Sequence, residues 1–322
     1  MNPLEQALRS IDRLQQRSKP IAFVVGVVKK FGDDRGGQLG ALVSFYAFLS
    51  FFPLTLVVVT TTAFLAQRNP SIAERLRASS LSQFPVVGTE LTSGEKALHG
   101  SGVGFVVGLA GLLWGGLGVT QSLQYAFHEV WHVPHKDRPP LLTRVGRGVG
   151  VLALLGVGVV ASAILGALGS LISNSPVAGT LGLIGSFAIV LGLFLSLFWL
   201  LSPRDVRLVD LLPGVTFAAV GWVALQTIGL RLLTHQLRRS SQLYGTIGAA
   251  LGLIAFFLLA TQVVFYGLEV AVVRVQRLWP RSLLQPPLTD PDKQMLITMA
   301  KQEERRPEER ISVEIDSTTS QV

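Results

Sequence analysis

From Ala41 to Gln67 the chain carries no charged side chain. At about 1.5 Å of rise per residue, a helix of that length crosses a hydrocarbon core of roughly 30 Å. Five more stretches are long and apolar enough to do the same, so the spans read as residues 39–66, 102–127, 146–172, 177–201, 209–233 and 245–273. Lipid offers the backbone no hydrogen bonds, so each run must satisfy its own amides as a helix. The pattern predicts an all-α, polytopic membrane protein with six transmembrane helices. Composition agrees. Only 15% of residues are charged and mean hydropathy is +0.49, against about a quarter charged in soluble domains. The chain has no cysteine, which removes disulfides, thiolate nucleophiles and cysteine-ligated metals.

Three regions follow. Residues 1–38 form an N-terminal segment whose apolar Ile21–Val28 run, followed by Lys29 and Lys30, predicts a helix over 20–31 lying in the membrane interface. A plain cytosolic helix is the alternative. No cleavable signal peptide is expected there. Residues 39–275 hold the six spans. Residues 276–322 are proline-rich and mixed in charge without an apolar period, which predicts a disordered tail. Between the first two spans, PSIAERLRASSLSQF at 70–84 reads as an amphipathic stretch along the outer surface. SNSP at 173–176 reads as a tight turn between the third and fourth spans.

Lys and Arg in short loops set orientation. An N-terminus inside puts Lys29, Lys30, Arg35, Lys136, Arg138 and the arginines near 204 and 274–281 on the inner side, leaving fewer basic residues outside. Both termini are therefore expected in the cytoplasm. The net charge of +8 then points to membrane lipids, with anionic headgroups at the cytoplasmic face as partners. No basic motif with interleaved aromatics points to nucleic acid.

Within the spans a few residues break the apolar pattern. Tyr46, Ser50 and Pro53 share one helix face. Pro53 leaves the Leu49 carbonyl without its usual donor, so this face should meet protein or water, with a Ser50 or Tyr46 hydroxyl as a candidate partner. Gly104, Gly108, Gly111, Gly115 and Gly118 step by four and three along one face. Such a seam lets another backbone approach, either a second span or a second protomer in a homo-oligomer. Gly245 and Gly248 open a shorter small-residue face. Gln121, Gln124, His128 and Trp131 form a polar stripe ending at an interfacial tryptophan. Glu269 is an acid embedded in the last span. It either faces an interior path or pairs with Arg274 or Arg277. Together Tyr46, Ser50, Pro53, Gln121, Gln124 and Glu269 are the candidate lining of one interior site. His128, His132 and His135 lack the company a metal needs, so no metal and no cofactor is expected.

The chain resembles the YihY/virulence factor BrkB family of bacterial inner-membrane proteins, formerly labelled ribonuclease BN. The resemblance rests on SFYAFLSFFPL at 44–54, SLQYAFHEVW at 122–131, LSPRDVRLVDLLPG at 201–214, Trp222, YGTIGAALG at 244–252 and YGLEV at 266–270. The family often has asparagine where His128 stands. It also often has an aromatic cluster where this chain reads IAFFLLATQ at 254–262. The resemblance implies a multi-pass inner-membrane protein and brings no established activity. Phosphodiester hydrolysis, which the old label suggests, needs clustered carboxylates or histidines, and neither these nor a nucleophile elbow is present. No catalytic residue is expected. Kinked, glycine-rich spans with an embedded acid suit a transporter or lipid-handling protein for an amphipathic substrate. The rival is a non-transporting envelope scaffold.

Overall fold

The computed structural model describes residues 9–10, 12–13, 15–68, 102–171, 176–285 and 287–315. The amphipathic stretch at 70–84, most of the 173–176 turn and the end of the tail lie outside these residues. So do the surroundings of the Gly245 side. Among the described residues all regular structure is helical: α1 Lys19–Asp33, α2 Gly36–Arg68, α3 Gly102–Val130, α4 Leu141–Leu171, α5 Pro176–Leu201, α6 Leu208–Gln276 and α7 Asp290–Gln302. Six stretches are long and apolar enough to cross a membrane, two of them within α6. The six-span, all-α reading therefore holds.

Helix α6 runs 69 residues, yet it is not one straight rod. The Cβ that any residue but glycine would carry at 214 would lie 2.2 Å from the Gly267 carbonyl oxygen. A straight helix would separate these positions by roughly 80 Å. The two ends are antiparallel arms in backbone contact, and the reversal falls between the spans, after Ile228 and before Ala250. Gly221 against Val263 continues the same interface. The spans thus associate as three pairs: α2 with α3, α4 with α5, and the two arms of α6. Gly158 against Leu193 joins the second pair.

The pairs converge at the end that carries α1 and α7. Leu123, Phe127, Val151, Phe198, Leu211 and Leu268 belong to one buried apolar cluster there. Phe127 meets Phe198 edge-on. Trp222 contacts both Phe194 and Phe256. The Trp131 indole donates to the Ser202 hydroxyl at 3.1 Å, which satisfies a buried polar group that would otherwise cost free energy.

The tail corrects the sequence reading. Residues 276–322 are expected to be disordered, but the described residues 277–285 and 287–315 pack against the bundle and include α7. The reason is polar rather than apolar. Thr289 and Asp292 form a reciprocal capping box at the start of α7. Asp292 then draws in Arg281 and Lys29, and Met295 is buried against Val27 and Leu278. Compositional bias reports the shortage of apolar residues and cannot report a carboxylate that finds six donors.

Candidate functional site

Helix α1 buries Ala22, Gly26, Val27 and Lys30. Residues 22, 26 and 30 fall four apart, on one face. A lysine on the buried face of an apolar helix requires a partner. Lys30, with no exposed surface, has three. Its ammonium lies 3.1 Å from Glu269 Oε2, bonds Asp34 and donates to the Val130 carbonyl at 2.8 Å. Asp34 in turn meets His132 Nε2 at 3.0 Å. The cluster therefore ties together α1, the turn into α2, the end of α3 and the second arm of α6.

Each contributor is placed by local backbone. Asp34 caps α1, and Arg35 follows at φ 55°, turning the chain sharply into α2. His132 sits at φ 50°, where α3 has ended and its ring can reach back to Asp34. Burial alone would raise the Asp34 carboxyl. The Lys30 charge and the His132 contact outweigh it and hold the group below its ordinary value. Asp34 and Glu269 thus share one ammonium, and the His132 ring lies against Asp34. Both Glu269 oxygens and His132 Nδ1 have no hydrogen-bond partner, so Lys30 meets Glu269 as an ion pair only. Among the described residues no group of three potential ligands is arranged to hold a metal.

A second polar cluster covers the first. Asp292 is fully buried. It accepts from the Ser282 amide at 3.0 Å and hydroxyl at 2.8 Å, from the Thr289 hydroxyl at 2.7 Å, and from Arg281 at 2.9 Å and Lys29 at 3.1 Å. Burial would raise this carboxyl too, but these donors push it well below the carboxylate range. Arg281 also pairs with Asp33 at 2.7 Å. Farther out, Lys136 pairs with Glu304 at 2.6 Å, and His135 Nδ1 meets the Gln302 carbonyl at 2.8 Å. Gln302 and Glu304 thereby clasp the segment between α3 and α4.

The residues singled out in the sequence do not gather in one place. The glycine seam meets the Tyr46–Ser50–Pro53 face. A Cβ at Gly111 would lie 3.0 Å from Pro53, one at Gly115 2.9 Å from Ser50, and one at Gly118 2.5 Å from Tyr46. Gly108 lies against Leu56 and Val57. The seam's partner is thus the first span of the same chain. Gly104 continues the seam at a half-buried position, and Gly248 is half-buried in α6. The Ser50 hydroxyl donates to the Ala47 carbonyl at 3.0 Å, not to that of Leu49.

Glu269 lies elsewhere. Gly40 meets Phe265, and Phe51 meets Phe257, so Tyr46 stands opposite residues near 260. That is more than two turns deeper than Glu269. The structure places these residues apart: Tyr46, Ser50 and Pro53 meet the glycine seam, and Glu269 meets Lys30. Neither Arg274 nor Arg277 is its partner. Gln121 is exposed. Gln124, one turn on, is buried and donates to the Arg144 carbonyl at 3.0 Å. The sequence reading missed Lys30, Asp34 and His132. The available signal was the i, i+4, i+8 placement of Ala22, Gly26 and Lys30.

Residues 27–288 match the family model for Virulence factor BrkB. The chain belongs to this family. An uncharacterized protein of Dickeya dadantii (strain 3937) is 27% identical over 269 residues, covering 75% of this chain and 80% of that one. The inner membrane protein YhjD of Escherichia coli (strain K12) is 26% identical over 265 residues, covering 75% and 77%. No solved structure matches. The matched region begins inside α1 and ends beyond Arg281, so it contains Lys30, Asp34, His132 and Glu269.

Proposed function

We propose that this BrkB-family protein resides in the inner membrane with both termini cytoplasmic, and that it moves or holds an amphipathic, lipid-like substrate without catalysing a reaction. The observation that carries this reading is how burial fades along the spans. Among the described residues of α5, the buried apolar ones lie in the last five positions: Leu197, Phe198 and Leu201. Near its start Leu181, Leu183 and Ile184 are all exposed. At about 100° per residue, 181 and 183 point to opposite sides of the helix. A helix in a filled bundle would bury one of those sides. The first arm of α6 behaves alike, with Leu211, Val215 and Ala218 buried and Val220, Val223 and Ile228 exposed. Three helix pairs joined at a charged, closed end, with apolar side chains left exposed farther along the described spans, suit acyl chains better than ions.

The charged end is assigned to the cytoplasm from the Lys/Arg excess and from the similarity to an inner membrane protein. The test is reconstitution into liposomes. A fluorescent phospholipid in both leaflets, bleached from outside by dithionite, should lose signal beyond the outer-leaflet fraction when the protein is present. Bleaching that stops at that fraction, with no flux of amphipathic solutes, would favour the scaffold. Reporter fusions after Val322 test the orientation: fluorescent protein active and phosphatase inactive is the expected pair.

A further inference from the structure

The basic residues at the closed end fall into two groups. Lys29, Lys30 and Arg281 are paired with Asp292, Asp34, Glu269 or Asp33. Arg274 and Arg277 are exposed, and among the described residues neither guanidinium makes an ion pair or a hydrogen bond. These two unpaired arginines line a half-open cavity of about 490 Å³ together with Phe23 and Trp279. That volume is within the range of small-ligand sites.

Its walls are held firmly. Phe23 and Trp279 pack edge to face at 6.1 Å. A Cβ at Gly26 would lie 3.0 Å from the Leu278 carbonyl oxygen and 3.2 Å from Trp279, so α1 approaches the end of α6 as closely as a glycine permits. Arg277 ends α6 at φ 54°, and its amide donates to the Val273 carbonyl. This turn separates the Arg277 side chain from the helix direction of Arg274.

The cavity also has a defined depth. Arg274 and Arg277 stand where the last span ends, and a tryptophan at that level is a common membrane-interface anchor. Beside it, Ile21, Val24 and Val28 present one exposed apolar stripe of α1 at the level expected of acyl chains. Arginines in a last helical turn also offset the helix dipole. That accounts for a basic residue at this place, but not for two unpaired guanidiniums sharing a cavity with two aromatic rings.

We propose that this cavity is a binding site for the phosphate headgroup of an anionic phospholipid. Arg274 and Arg277 contact the phosphate, Phe23 and Trp279 pack on the glycerol and upper chain, and α1 lies beside the acyl tails. A guanidinium presents several donors to phosphate oxygens, and a zwitterionic headgroup would bring an added positive charge to the same arginines.

The test uses the full chain in neutral detergent, followed by its melting temperature. It is titrated with dioctanoyl phosphatidylglycerol, dioctanoyl phosphatidylcholine or inorganic phosphate. Saturable stabilisation by phosphatidylglycerol alone is expected, weakening as salt is raised. Arg274→Gln/Arg277→Gln should weaken it on the order of tenfold or more, while Arg204→Gln/Arg207→Gln, at exposed positions on the same end, should not. Equal response to both lipids, or an unchanged response in the first double variant, would overturn the site. Stabilisation by inorganic phosphate equal to that by lipid would replace the lipid with a free anion. Should the double variant not fold, wild type decides: phosphatidylglycerol with brominated chains should quench its tryptophan emission, and Trp279→Phe should remove most of that quenching. Quenching indifferent to Trp279 counts against the site. The site is independent of the transport reading, since headgroup binding without lipid translocation would keep the first and remove the second.

Discussion

The α2–α3 contact and the Lys30 cluster hold helices together by opposite means. The first uses shape. Gly108, Gly111, Gly115 and Gly118 remove side chains so that Leu56, Pro53, Ser50 and Tyr46 can fill the groove. In lipid the hydrophobic effect gives little drive between helices, and close van der Waals packing supplies it. The second uses charge. Lys30, Asp34, Glu269 and His132 are all removed from water, and attraction must offset a large desolvation cost. Shape tolerates no added volume but is indifferent to charge. The charge cluster tolerates some change of shape and no loss of a partner. A scaffold that closes one end of a bundle gains from the second kind, because each partner fixes the position of a different element.

The largest effect should come from breaking the charge balance. Lys30→Met leaves Asp34 and Glu269 buried and uncompensated, at a cost of about 3–5 kcal/mol. The fraction of monodisperse protein recovered in detergent, and its melting temperature, should both fall. Lys30→Met combined with Glu269→Met should recover part of the loss. If the two losses simply add, the pair is not coupled and the comparison fails at its charged side.

Next comes overpacking of the seam. Gly115→Leu would drive a side chain into the Ser50 backbone, costing about 1–3 kcal/mol or parting the helices. Gly102, on the same helix, has nothing within 4 Å of its Cβ position. Gly102→Leu should change the melting temperature little. Equal shifts for both would show that α2 and α3 are not held by the glycine groove.

Asp292 sharpens the charged side further. Its carboxyl is lowered from 3.8 in the folded chain, so its contribution is present above that value and is lost as pH falls through and below it. Asp292→Asn should cost about 2 kcal/mol near neutral pH. The gap in melting temperature between wild type and variant should close as pH drops below about 4. A gap that stays constant would mean that the carboxylate charge does not hold the tail. The smallest effect belongs to Arg138 and Glu129, a partly exposed pair at 3.0 Å. Arg138→Gln should change stability by less than about 1 kcal/mol, which marks the outer limit of the charged cluster.

The two regions differed equally in how legible they were. The seam could be read directly, because its signal is a step of four and three within one helix. Its partner face at Tyr46, Ser50 and Pro53 could be read the same way. That the two faces meet was not visible, since helical periodicity says which residues share a side and not what that side touches. Glu269 stood out as an acid in an apolar run, but its nearest basic residues in sequence were the wrong ones. The α6 helix turns Glu269 toward α1, while Arg274 and Arg277 face the cavity beside Phe23.

The sequence by itself determined the class of fold, the number of spans and their approximate ends. Those follow from the length of apolar runs and the need of each backbone to satisfy itself in lipid. It also determined the family, through short motifs in a consistent order. Only the tertiary structure decided which charges are buried together, that α7 and its flanking residues fold onto the bundle, and that the spans converge at one end. Each of these rests on contacts between residues far apart in the chain, such as Lys30 with Glu269 and Lys29 with Asp292. Their free energy depends on removing both partners from water at once, a quantity that exists only after the chain has folded.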